Sequence, residues 1–276
     1  MTETLKAYLI ESLRFTKETV AGDATRSIAF LLMSLCTGLS MSGQLFRIIS
    51  PRVNILHIPY SGWGVVIILV IIILLFWIAL AGYCVRIFRG DPTPPSFSPA
   101  KILIKDGLLV QIPLTLWIIP VYFFGTIRLM SPENISAWIT TILWLAFYFL
   151  VPSIVFIYAN TGNVIESTRP SKILLTIKTS SWFFYAAAFL TVIVTYLITA
   201  RILSELILIL GYALPVLSNP ASYYAILFFF SPILTVFTSR LFTNILMNRG
   251  DNKTLHSGNP VLETRQEIQS GCQEKS

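Results

Sequence analysis

Residues 64–85 read GVVIILVIIILLFWIALAGYCV, a run without one charged side chain. At about 1.5 Å of rise per residue, such a run in helical form crosses the roughly 30 Å hydrocarbon core of a bilayer. It ends in RIFRGDPTPP, residues 86–95, where two arginines, an aspartate and three prolines mark an abrupt passage from lipid to water.

Composition carries the same message along the whole chain. Of 276 residues, 55% are hydrophobic and only 12% charged, against about 25% charged in a soluble domain. Six Trp, eleven Tyr and nineteen Phe suit rings held at headgroup depth. The net charge of +7 lies in short loops between apolar runs and not on one polar domain, so it reads as membrane topology and excludes a nucleic-acid surface. Cys36, Cys84 and Cys272 are far apart, which excludes a disulfide framework or zinc-ligand spacing. The N-terminus, with Glu3, Lys6, Glu11, Arg14, Lys17 and Glu18, lacks the order of a cleaved signal peptide, so the first span is expected to be retained.

The expected fold is an all-α integral membrane protein of about six spans: 27–46, 64–85, 107–127, 136–158, 182–210 and 221–247. Residues 1–26 form an N-terminal amphipathic cytoplasmic segment, 27–247 the transmembrane domain, and 248–276 a disordered cytoplasmic tail poor in large apolar residues. The fifth span passes Arg201 and Glu205, four apart on one helical face and a candidate intramembrane ion pair near the outer interface. From 202 to 217 the chain could continue as helix, lie in the interface or re-enter the membrane; continuation to about Leu210 is favoured. Counting Lys and Arg on alternate sides gives sixteen against four, with the four being Arg47, Arg52, Arg128 and Arg201. Both termini then fall on the basic, cytoplasmic side of a cell membrane. Asn134-Ile135-Ser136 matches a glycosylation sequon and reads as a chance match.

Two cytoplasmic loops share a pattern. Pro99-Ala100-Lys101-Ile102-Leu103 precedes the third span and Pro170-Ser171-Lys172-Ile173-Leu174 the fifth. Each resembles the first turn of a short interfacial helix, with proline at its first position and, in the first copy, Ser98 as cap. Their apolar groups would enter lipid while lysines face phosphates. Near the N-terminus, Leu5, Tyr8, Leu9 and Leu13 form a comparable stripe with Lys6, Glu11, Arg14 and Lys17 largely off it. The chain would then comprise three units, each an interfacial helix followed by a two-span hairpin: about 3–88, 97–160 and 169–247.

Catalytic, cofactor and metal constellations are absent from the sequence: His57 and His256 are isolated, and no HExxH, GxSxG or phosphate-binding glycine loop occurs. No aspartate or glutamate sits centrally in a span, which argues against a proton- or sodium-driven carrier. Arg240, late in the last span with Asn244 one turn on, is expected to anchor that helix at the inner interface. Gln44, Gln111, Asn160 and Asn163 are read as packing donors between helices. Pro113, Pro120, Pro152, Pro215 and Pro232 would kink or end helices.

One passage carries more specific information. Gly82-Tyr83, then Arg86, Arg89 and Gly90, then Pro94-Pro95-Ser96-Phe97, then Lys105-Asp106-Gly107 resembles the DUF4013 family of prokaryotic membrane proteins of unknown function. The likeness in hydropathy extends over residues 1–247 and its residue-level core over about 82–110. It implies a multi-span archaeal or bacterial protein of about six spans, and brings no catalytic residue. The family tends to place acidic residues and a tryptophan after the proline-aromatic step, where this chain has Ser98, Pro99 and Ala100. The chain is therefore either a divergent member or a relative of similar architecture, such as the membrane domains attached to some glycerophosphodiester phosphodiesterases.

These readings lead to a non-enzymatic scaffold whose basic inner face contacts anionic lipid or a partner through Arg86, Arg89, Lys101, Lys105, Lys172 and Lys178. The partners expected are the bilayer, a second copy or another membrane protein, with no nucleic acid and no cofactor. The alternative is a permease or channel lined by Gln44, Gln111, Asn160 and the kinked spans; a membrane-embedded enzyme is the least supported.

Overall fold

The computed structural model describes residues 2–41, 60–130, 134–213 and 229–247. The end of the first expected span with Gln44, Arg47, Arg52 and His57, the start of the sixth, Pro215, and the tail with Cys272 and His256 lie outside the described residues. Within them every element is helical: α1 (Thr2–Ala21), α2 (Ala24–Met41), α3 (Tyr60–Phe88), α4 (Ala100–Met130), α5 (Asn134–Thr161), α6 (Val164–Thr168), α7 (Pro170–Thr179), α8 (Trp182–Ala213) and α9 (Ser231–Met247). Four are long and apolar enough to cross a bilayer, over Val70–Phe88, Ala100–Phe124, Trp138–Thr161 and Trp182–Ile207. They coincide with the second to fifth expected spans and place the chain in a membrane. The described residues form an all-α chain.

One boundary differs from expectation and two agree with it. Residues 100–106 do not form a separate interfacial helix but the first turns of α4, because the Pro99 carbonyl accepts the amides of Ile102 and Leu103 and the helix then continues without a break. The second proline copy does stand alone, as α7: Ser181 takes a left-handed φ of 69° and turns the chain before α8 begins. At equivalent positions the copies also face differently. Leu103 and Ile173 are buried, whereas Ile102 and Leu174 are exposed. As favoured from the sequence, α8 runs past Arg201 as one helix, ending at Ala213 where about Leu210 is expected.

The centre of the bundle is α9, which packs against α1, α2, α3, α5 and α8. Ten of its seventeen residues are buried, including Val236, Phe237, Leu241, Phe242 and Ile245. Its polarity follows from that position. Thr235, Thr238 and Thr243 each donate their hydroxyl to the carbonyl four residues back, so they meet neighbouring helices with no donor left open. A buried tyrosine of α8 is satisfied against a helix carbonyl as well. Pro152 disrupts the backbone ladder of α5, and the Tyr185 hydroxyl of α8 donates to the Phe149 carbonyl at 2.8 Å while accepting from Ser153 Oγ at 2.9 Å.

The most extensive helix pair is α3 with α4, and two glycines set its closeness. A methyl group at Gly82 would run into the Leu103 carbonyl, and one at Gly107 into that of Ile78. Each glycine thus receives the other helix's backbone, a reciprocal small-residue crossing of the kind favoured where lipid supplies no hydrophobic drive between helices. Gly82→Ala or Gly107→Ala is expected to destabilise by roughly 1–3 kcal/mol or more through overpacking. The check is a thermal melt in detergent, where Gly162→Ala, at a site with open space around it, reports the backbone cost alone.

Candidate functional site

The passage after α3 is rich in proline: Pro92, Pro94, Pro95 and Pro99 lack amide hydrogens, so its carbonyls have few local donors. Arginines from three helices supply them. Arg86 of α3 turns back and donates from Nη1 to the carbonyls of Ser96 and Ser98, at 2.5 and 2.8 Å, and from Nη2 to that of Pro99 at 3.1 Å. Arg26 of α2 reaches the Pro94 carbonyl at 3.3 Å. Arg240 of α9 donates from Nη1 to the Asp91 carbonyl at 2.8 Å. Gly90, at φ 90° with the Met247 side chain against it, turns the chain into this arrangement.

Arg240 does more than anchor α9. It is 7% exposed, and its Nη2 and Nε meet Glu11 Oε1 of α1 at 2.6 and 3.2 Å, while Asn244 donates to Glu11 Oε2 at 2.7 Å. Its guanidinium also lies 4.5 Å from the centre of the Phe15 ring. A buried cation without such partners would be strongly unfavourable. Close by, Arg89 Nη2 lies 2.7 Å from Asp106 Oδ2, an ion pair off hydrogen-bond angle, and its Nε points to the Ala159 carbonyl at 3.4 Å. Arg89 therefore joins the end of α3 to the start of α4 and the end of α5.

The six cations expected at a lipid or partner surface divide into two classes. Arg86 is buried and Arg89 half-exposed, and both are committed to the protein itself. Lys101, Lys105, Lys172 and Lys178 are all exposed. Lys101 and Lys105 share a face of α4 with the exposed Leu108, Ile112, Leu116 and Ile119. On α7, Ile173 and Ile177 point inward while Leu174 and Leu175 are exposed beside the lysines. Arg201 and Glu205 pair at 2.5 Å, on an exposed face of α8, roughly 29 Å along the helix from Trp182 and so at the opposite end from the lysines.

Sequence reading missed Glu11 and Asp106 as partners. For Asp106 the available signal was an acid near the start of a mostly apolar helix, which requires a counter-charge that spacing alone cannot identify; Glu11, in the middle of the amphipathic α1, carried no such signal. Asn163 caps α6, accepting from the amides of Ile165 and Glu166, and Asn160 donates to the Phe156 carbonyl of its own helix. Neither bridges helices. No group of three or more His, Cys, Asp and Glu side chains able to hold a metal occurs among the described residues. Arg86→Gln and Arg240→Gln are each expected to cost about 2–4 kcal/mol, because carbonyls and a carboxylate lose their donors. Lys101→Gln or Lys172→Gln should stay within about 0.5 kcal/mol, a contrast read from melting midpoints in detergent.

No curated protein and no solved structure matches the chain. The family described as "Protein of unknown function (DUF4013)" matches residues 65–209, a little over half of the 276 residues. That stretch contains the Gly82–Gly107 crossing, the proline-rich loop and the Arg86 and Arg89 contacts. The chain belongs to the DUF4013 family.

Proposed function

We propose that this protein is a non-enzymatic, multi-pass scaffold of the cell membrane whose basic face binds anionic lipid headgroups. In this reading α2 and α9 belong to a first and a sixth span beside the four membrane-length helices. Both termini are cytoplasmic, and the spans form three hairpins. The observation that carries the reading is the division of cations: Arg86 and Arg240 are buried and bound to the protein's own carbonyls and carboxylate, whereas Lys101, Lys105, Lys172 and Lys178 share exposed faces with apolar side chains. A lysine placed there lays its stem along lipid and lifts its amine to the phosphates.

The test is native mass spectrometry of the protein extracted from bilayers containing anionic and zwitterionic lipid. Replacing all four lysines with glutamine is expected to remove the retained anionic lipid, by about fivefold in affinity for each charge, without moving the melting midpoint. Retention at the original level in the quadruple variant would reject headgroup binding. A reporter fused after residue 276 should read cytoplasmic; an outside reading would overturn the topology.

A further inference from the structure

Helix α1 is amphipathic in two directions. The stripe Leu5, Tyr8 and Leu9 packs onto the core, continued by the buried Ser12, Phe15, Thr16 and Thr19. The buried hydroxyls of Ser12 and Thr16 donate to the carbonyls of Tyr8 and Ser12. Leu13, at the edge of the stripe expected from sequence, turns outward at 60% exposed, with Ile10 at 57%. Lys6 and Lys17, both exposed, stand four residues beyond these at either end. Spacings of four, three and four put Lys6, Ile10, Leu13 and Lys17 in one line along the helix.

We infer that this outer face of α1 lies in the membrane interface, with Ile10 and Leu13 entering the acyl boundary of the cytoplasmic leaflet and Lys6 and Lys17 bound to lipid phosphates. A helix bordered by lysines about 16 Å apart, with apolar groups between them, matches the charge and polarity profile of an anionic leaflet seen edge on. The neighbouring Arg14 and Glu18 pair at 2.9 Å on the flank and balance each other. Helix α2 continues the exposed apolar surface with Ile28, Leu31, Leu32 and Leu35. The roll of α1 that presents this face is set from behind by the contacts of Arg240 and Asn244 with Glu11. The inference rests on the topology proposed above in placing a leaflet at the cationic end, and adds a contact separate from the lysines of α4 and α7.

A nitroxide attached through Ile10→Cys or Leu13→Cys, in the full chain carrying Cys36→Ser, Cys84→Ala and Cys272→Ser and reconstituted in anionic vesicles, reads the depth directly. Lipid-dissolved oxygen is expected to relax both labels more strongly than a water-soluble nickel reagent, and Lys6→Glu with Lys17→Glu should shift both toward the aqueous reagent. Labels relaxed mainly by nickel in the otherwise unaltered chain would overturn the inference. Labels shielded from both reagents would overturn it in favour of a protein partner. The quadruple lysine variant of α4 and α7 should leave both labels at depth; loss of its bound lipid without a change in label depth, or the reverse, separates the two proposals.

Discussion

The proline-rich loop between α3 and α4 is held chiefly by guanidinium groups that take up its carbonyls. Proline removes amide donors from both the loop and its turns, so the oxygens of Asp91, Pro94 and Ser96 would compete for water at the rim of a bilayer, and those of Ser98 and Pro99 would keep only the Ser96 hydroxyl and the first amides of α4. Arg240, Arg26 and Arg86 occupy them instead. These arginines come from α9, α2 and α3, so satisfying one loop also fixes three helices relative to each other. Arg240 extends the connection to α1 through Glu11. Loss of the loop's conformation would therefore be felt at both ends of the chain's described part.

The choice of arginine over lysine at these positions has a physical basis. A guanidinium offers five donors in a rigid plane and remains charged when partly dehydrated, whereas an ammonium is compact, strongly hydrated and carried on a flexible stem. Arginine can thus bridge several carbonyls inside the protein, and lysine is better kept at a wet interface. The observed partition agrees with this: Arg86 and Arg240 are buried, while Lys101, Lys105, Lys172 and Lys178 are exposed. Positive-inside bias counts both kinds alike, although they do different work.

Tight helix contact and central polarity complete the design. The reciprocal approach at Gly82 and Gly107 brings the α3 and α4 backbones together, which places Arg89 within reach of Asp106. The threonine hydroxyls of α9 bond within their own helix, so a helix with threonine and arginine can occupy the centre where a lipid-facing helix would be purely apolar.

Hydropathy determined the second to fifth membrane-length helices to within a few residues at most ends, because transfer of a continuous apolar run into lipid is a local property of that run. The family likeness was legible for a related reason, since its glycines, prolines and arginines lie within one short passage. The seven-residue error at the start of α4 arose where lysines and an aspartate lowered local hydropathy without ending the helix. Which cations face inward was not legible: Arg240 meets Glu11 across most of the chain, and Leu13, placed on the buried stripe by its spacing, is exposed. Periodicity defines a stripe on an isolated helix, but burial is assigned by whatever packs against it. Tertiary structure alone made that assignment here, since the cost of burying an arginine is offset only when distant carbonyls and a carboxylate converge on it.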